Sequence, residues 1–487
     1  MQSVDLTAAA SAEDLHTSAP AARLGLWDAV SLIFGIVIGA GIYETAPFVL
    51  ANTSSPAQAL LVWTLGGALS LIGATCYAEL ATTYPRAGGD YVYLTRAFGP
   101  IFGFLFGWAQ LAVILTGSIG MMAYVFADYA AALWSHAAGA TALFACAAVL
   151  LLTLLNLFGL VFGKTTQNVL SWLKLLGLAL LIGAGLLSSG SATAAPASAP
   201  AASGGSFGLA MVLVLYTYGG WNDAAFVAAE VRDGKRNIAR ALLLGTLAIT
   251  IVYLLVNLAF MHALGFQGAQ SSKAIAADVL RVSFGSSGGK LMALLVMISA
   301  LGAVNGLILT GSRVYASLGA DHGVFARLSR WHPRWRSPVW ALLAQLLVTL
   351  LMIFAVGTEP GRAAIDGVLV RAGAAKAEWS GHGGFDTLLR CTAPVFWLFF
   401  LLTGISLFVL RRREPDRERP FRVPLYPLFP LIFCGMCGYM LYSAVDYAGA
   451  LSLFGAALLL LGVPLYFVSQ RRPRFRADAS PNEESAS

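Results

Sequence analysis

Two short glycine clusters are the residues whose type and spacing speak first to chemistry. Gly39-Ala40-Gly41, with Pro47 beyond it, interrupts one apolar run, and Gly219-Gly220, followed by Trp221 and Asn222, interrupts another. Each glycine disfavours a continuous helix by about 1 kcal/mol relative to alanine. A helix that stops leaves carbonyls unpaired at its end, and N–H groups stay unpaired where the next helix begins. The half after Gly41 turns the positive end of its dipole toward an anion. The half ending near Val37 accepts bonds from an ammonium, and Tyr216 and Thr217, before the second break, offer further carbonyls. Such a pocket suits a zwitterion, holding the carboxylate and amine of an α-amino acid with backbone alone. Close helix packing through small residues is the plainer use of a glycine pair. Its recurrence in two corresponding segments favours binding, because paired discontinuous helices mark sites at the membrane midplane.

Three charged residues accompany the breaks. Glu44 and Asp223 each lie three residues after the last glycine of their break. Two readings stand for them: caps at the start of a half-helix, or a protonatable or cation-attracting pair beside the pocket. Lys174 stands deep in an apolar run, in Leu173-Lys174-Leu175-Leu176-Gly177. A lysine there costs roughly 2.5–3.5 kcal/mol on membrane-insertion scales, which argues for a task. Other chemistries find little support. The six histidines are dispersed, and Cys434 and Cys437 form a CxxC without a second pair or a nearby histidine. No metal site and no cofactor is expected. No nucleophile–base motif points to an enzyme.

The elements that position these residues are apolar blocks. Hydrophobic residues make up 58% of the 487 residues and charged residues only 11%, against about 25% charged in soluble domains. The blocks are about as long as the ~20 residues that cross a bilayer as helix. Twelve spans are expected: 26–51, 57–83, 99–132, 140–162, 168–188, 207–229, 239–263, 290–318, 338–356, 385–410, 425–445 and 450–469. Residues 1–22 read as a disordered cytoplasmic tail, 190–206 as an Ala/Ser/Pro/Gly linker, 265–288 and 358–384 as longer polar loops, and 471–487 as a second tail. The formal charge of +7 does not indicate nucleic acid, because the basic residues fall in short loops between apolar blocks.

Those basic residues set an orientation. With the N-terminus in the cytoplasm, Arg86, Arg96, Lys235, Arg236, Arg313 and the run from Arg411 to Arg422 fall inside. The outside exceptions cluster in the two long loops, which weigh less in the positive-inside rule. Both termini are therefore expected in the cytoplasm of a multi-pass protein of the plasma or inner membrane.

An ordered series of motifs resembles a known family. Ile38-Gly39-Ala40-Gly41-Ile42-Tyr43, Gly73-Ala74-Thr75-Cys76-Tyr77-Ala78-Glu79-Leu80, Gly88-Gly89-Asp90-Tyr91-Val92-Tyr93, Tyr218-Gly219-Gly220-Trp221-Asn222 and Val304-Asn305-Gly306 carry it. The sequence resembles the amino acid–polyamine–organocation superfamily, and within it the L-type amino acid transporter branch, well over spans one to eight and weakly beyond. The resemblance implies an all-α, LeuT-like fold. Its first repeat covers about 26–188 and its second about 207–410, with spans one and six broken and helices eleven and twelve at about 425–469. It places the substrate carboxylate on the N–H groups of Ala40, Gly41 and Ile42, and the amine on the carbonyls of Val37, Tyr216, Thr217 and Gly219. Tyr216 becomes an aromatic gate and Asn222 a polar pocket residue; Trp221 and Ser118 join the pocket wall. Lys174 resembles a fixed replacement for a sodium ion, tied to the Gly35 carbonyl and Ser299.

The implied function is a secondary active transporter, permease or exchanger, for neutral L-amino acids. The rivals are a cationic amino acid or polyamine permease using Asp223 and Glu44, and a nutrient sensor with a transporter fold. Animal L-type members carry an outer-loop cysteine that bridges to a partner. Loop 133–139 here has none, so no disulfide-linked subunit is expected; the partners are the amino acid and the lipid bilayer.

Overall fold

The computed structural model describes residues 24–39, 41–134, 140–188, 206–272, 274–371, 373–377, 379 and 383–470. Among these the elements are helical, and the only β pairing is an isolated bridge between Leu24 and Val231. Among the described residues, nine helices are long and apolar enough to cross a membrane, or ten if a bent pair counts as one span. That pair is α1 (Leu26–Val37) and α2 (Gly41–Ala51), bent by 53°. Next come α3 (Pro56–Thr83), the short α4 (Asp90–Phe98) and α5 (Pro100–Trp134), whose middle, Gln110–Ile114, is π-helical. The shorter α6 (Ala140–Leu157) precedes α7 (Leu160–Leu187). After it, α8 (Phe207–Thr217) ends in a turn that leads to a 3₁₀ segment, Trp221–Glu230. The remaining helices are α9 (Gly234–Ser271), α10 (Ile275–Phe284), α11 (Ser287–Asp321), α12 (Val339–Gly357), α13 (Glu359–Arg371), α14 (Gly384–Arg413), α15 (Leu428–Ala448) and α16 (Leu451–Gln470).

Local chemistry sets several of these boundaries. The Ser55 hydroxyl accepts the Gln58 N–H at 3.2 Å with Pro56 at the first helical position, a favourable start for α3. Ser206 caps α8 in the same way through Leu209 N–H. Gly159 separates α6 from α7 at φ +115°, where a Cβ would stand 2.3 Å from the Trp335 carbonyl oxygen. The outer face of the bundle is apolar: Trp172, Leu176 and Leu187 on α7, Leu347 and Leu351 on α12 and Tyr442 on α15 are exposed. Exposed apolar surface on this scale is what lipid covers.

Two sequence expectations change here, a span boundary and the long loops. The boundary between the fourth and fifth apolar segments lies at Gly159, so Lys164, between the expected spans, is a helical rather than a loop residue. Lys164 and Asn168, the first residue of the expected fifth span, both bond the Asp28 carboxylate, each at 2.8 Å. The expected loops 265–288 and 358–384 contain α10 and α13 as well as the end of α9, which kinks at Gly265. Each is amphipathic: Ile275, Val279 and Leu280 are buried on α10, and Gly361, Ile365 and Leu369 on α13, at helical spacing. Lys174 is not alone as a cation buried within a helix, because Arg313 of α11 makes a two-point ion pair with Glu230, at 2.8 and 3.2 Å. Arg390 of α14 bonds Asp386 and lies over the Tyr447 ring. The tails 1–22 and 471–487, most of the 190–206 linker and residues 135–139 of loop 133–139 lie outside the described residues.

Candidate functional site

The two chain breaks come together. Gly220 is left-handed, at φ +102°, and a Cβ there would meet Ile36 Cγ2 of α1 at 2.7 Å. Only glycine meets both demands without strain. A Cβ on Gly41, at the start of α2, would lie 3.3 Å from Thr217 Cγ2. The hydroxyls of Thr45 and Thr217 are 2.8 Å apart. Tyr253 of α9 closes the junction, its hydroxyl 3.0 Å from the Val37 carbonyl oxygen and 3.3 Å from that of Thr217. One phenol thus ties the last carbonyl of α1 to the last carbonyl of α8.

Beside the junction lies a cavity of about 140 Å³. A cavity near this size, ~150 Å³, takes up a six-carbon ring, so the space suits a small organic molecule. Backbone comes from Val37, Gly39, Gly41, Gly219 and Gly220. The π-helical turn of α5 turns Gln110 and Ile114 into it, and Ser118 follows one turn on. π-turns often sit at functional positions because they re-aim side chains. Phe396 and Trp397 of α14 supply apolar wall, and among the described residues Asp223 is the one charged residue in the lining.

The expected site residues separate on inspection. Val37, Gly41, Tyr216, Thr217, Gly219, Ser118 and Asp223 line the cavity. The Tyr216 hydroxyl points at Met121 Sδ, 3.8 Å away. The Val37 carbonyl accepts both Gly39 N–H, at 2.8 Å, and Tyr253, so both lone pairs are taken. The Tyr216 carbonyl accepts Gly219 N–H at 3.0 Å, and the Tyr218 N–H at the end of α8 turns toward it as well. Gly41 and Ile42 occupy the first turn of α2, where N–H groups lack intrahelical acceptors; the Ile42 side chain is buried outside the lining. Ala40 lies outside the described residues.

Trp221 does not face the cavity. It packs among Tyr77, Phe400 and Phe433. Asn222 is buried next to the lining, donating to Asp223 Oδ1 at 3.1 Å. Glu44 is exposed and away from the cavity, so it makes no pair with Asp223 there. The α2 helix turns it outward, whereas the tighter 3₁₀ segment turns Asp223 inward.

Lys174 Nζ donates to the Gly35 carbonyl at 2.8 Å. Ser299 does not join it: its hydroxyl donates to Ile38 O, also at 2.8 Å. From different helices, the two hold the Gly35 and Ile38 carbonyls of the broken segment. Further down α1, Ser171 bonds Ser31 O, and Gln167 crowds Gly35, where a Cβ would lie 1.5 Å from Gln167 Nε2. Gln167 in turn accepts from Asn305 at 2.9 Å. Sequence reasoning missed Tyr253, Gln110 and Gln167. Gln110 had a signal, a lone amide in an apolar run, whereas nothing local marks the Tyr253 hydroxyl. Among the described residues no group of His, Cys, Asp and Glu is arranged to hold a metal ion.

Comparison with known proteins names the architecture around this cavity. The profile described as amino acid permease matches residues 24–464. The serine/threonine exchanger SteT of Bacillus subtilis (strain 168) is 29% identical, the match covering 92% of this chain and 97% of that protein. The large neutral amino acids transporter small subunit 2 of Mus musculus is 30% identical, over 93% of this chain and 82% of that one. The Asc-type amino acid transporter 1 of Homo sapiens is 28% identical, over 92% and 82%. With the profile spanning nearly all of its described helices, this multi-pass membrane chain belongs to the amino acid permease family.

Proposed function

We propose that the chain is a secondary active transporter that carries neutral L-amino acids by alternating access through the cavity between the two breaks. The single observation that carries this reading is the junction itself. Two interrupted segments meet at one small cavity, with the start of α2 on one side and the end of α8 on the other. The carboxylate goes to the N–H groups of Ala40, Gly41 and Ile42. The amine goes to the carbonyls of Tyr216 and Gly219, since that of Val37 is filled until Tyr253 moves away. Tyr216 closes over the substrate. The names of two of these relatives, a serine/threonine exchanger and a large neutral amino acids transporter, agree with a neutral side chain.

The same reading takes the fold as LeuT-like with twelve spans. Adding α6, and α8 with its 3₁₀ continuation, to the ten apolar spans gives that number. Residues 26–188 and 207–410 are the two repeats, and both termini are cytoplasmic, in a plasma or inner membrane. Lys174 acts as the fixed cation that holds α1 through Gly35. The chain works without a disulfide-linked subunit, since loop 133–139 has no cysteine.

A rival reading has one observation in its favour. Asp223 in the lining could receive the ammonium of a cationic side chain. Competition for uptake of labelled serine into proteoliposomes separates the two. Alanine, serine, threonine and leucine should compete, and lysine and arginine should not. If lysine or arginine outcompetes them and Asp223→Asn abolishes that preference, the cationic reading replaces this one.

A further inference from the structure

Gln110 is 4% exposed and lines the cavity from the π-turn of α5. Its backbone is fully engaged. The carbonyl accepts the Tyr315 hydroxyl of α11 at 3.1 Å as well as Leu115 N–H, and the N–H turns back to the carbonyls of Phe106 and Gly107. The side-chain amide is another matter. Oε1 is buried without a partner, and among the described residues no hydrogen bond reaches Nε2 either.

The other buried amides of the chain differ in this respect. Asn156, Gln167 and Asn305 bond to one another where α6, α7 and α11 meet. Asn222 donates to Asp223, Asn257 to Tyr253 O and Gln345 to Leu307 O. Among the described residues, Gln110 alone of the buried side-chain amides makes no bond. Hydroxyls in the same lining are served as well. Thr217 donates to Leu213 O, Thr392 to Leu389 O, and Tyr216 points at Met121. A buried amide left unpaired carries its full desolvation cost, and native proteins keep few such groups.

Gln110 stands where a ligand can supply the missing partner. A half-turn of the amide exchanges its two ends, so it can donate or accept. Ile114 and Leu115, which line the cavity with it along α5, are apolar. A substrate side chain that fills the cavity shuts water away from the amide. An apolar side chain leaves the amide unpaired, whereas a hydroxyl or a carboxamide pairs with it.

We propose that Gln110 reads the substrate side chain, so that the cavity selects neutral amino acids bearing a hydroxyl or a carboxamide over apolar ones of similar shape. The proposal rests on the permease reading above and narrows it to a substrate class. Threonine and valine differ little in shape but differ in hydrogen bonding, and so do asparagine and leucine.

The test uses the full chain in proteoliposomes, with counterflow of labelled serine competed by these two pairs. Threonine should inhibit at a concentration about tenfold lower than valine, and asparagine at one about tenfold lower than leucine. Gln110→Leu should bring both ratios close to one by weakening threonine and asparagine. Gln110→Asn, which keeps a shorter amide, should keep part of the preference. A shift of all four inhibitors together in Gln110→Leu, with the ratios intact, would overturn the proposal and leave the residue a structural role. Equal inhibition within each pair by the wild type would also overturn it, while the permease reading stands. Absence of serine counterflow in the wild type would sink the permease reading itself, and this proposal with it.

Discussion

The hydroxyl of Tyr253 does the work of a clasp, reaching one carbonyl from each broken segment. Removing it leaves the Thr217 carbonyl short of a buried partner, at a cost of about 1–3 kcal/mol. Tyr253→Phe should therefore lower thermal stability in detergent by that order and raise the Val37 carbonyl's availability to an amine; a melting curve and a binding isotherm read the two effects. Lys174→Ala should cut transport at least tenfold while membrane insertion stays near normal, with substrate affinity changed less than turnover. Lys174→Arg should rescue poorly, because a planar guanidinium does not reproduce a compact ammonium beside Gly302, whose own Cβ would stand 3.3 Å from Nζ. Purified Lys174→Ala with wild-type turnover would remove the lysine from the mechanism. Asp90 adds a pH dependence. Its carboxyl is raised by burial to about 6, so the native chain holds a proton that the unfolded chain releases between about pH 4 and 6. Stability from this group is greatest at low pH and lost as pH rises through 6. Asp90→Asn should accordingly raise the melting temperature above pH 6, with the gain shrinking toward pH 4. At this scale the sequence spoke through residue type alone. It picked out Lys174 and Asp223 as charges in apolar runs, but it could not separate Glu44 from Asp223, because both stand three residues after the last glycine of their break, whereas in the fold Glu44 is exposed and Asp223 lines the cavity.

Among the elements, the breaks were legible because glycine has a backbone reason to be there. Gly220 combines a positive φ with an approach to Ile36 that no side chain tolerates. Gly220→Ala should destabilise the protein by about 1–3 kcal/mol and abolish transport. Gly183 of α7 has open space around its Cβ position, and Gly183→Ala should be neutral or stabilising by up to about 1 kcal/mol. Comparable losses in both variants would refute the close approach of the two segments. The π-turn at Gln110–Ile114 was not legible: its residues read as ordinary helix, and nothing in their order marks the extra residue. The helices α10 and α13 escaped notice for another reason. Their apolar stripes are narrow, so their mean composition reads as polar loop even though every third or fourth residue is buried.

For the molecule as a whole, composition and block length announced a membrane protein, and the exposed apolar belt on α7, α12 and α15 is the structural counterpart. The proposed orientation makes a direct prediction. On a cysteine-free background, Gly367→Cys on α13 should react with an impermeant thiol reagent from outside, whereas Glu418→Cys should react only after the membrane is opened. Both positions are exposed, so the reverse pattern would overturn the orientation rather than report burial. The central claim, that the cavity between the breaks is where a neutral amino acid binds and crosses, is tested most directly at Ser118, which lines it. Ser118→Cys should react with a small thiol reagent, and transport should cease as modification proceeds. Serine should slow the modification in proportion to its occupancy, and arginine should not. Modification at an unchanged rate in saturating serine, or transport that survives complete modification, would contradict the account.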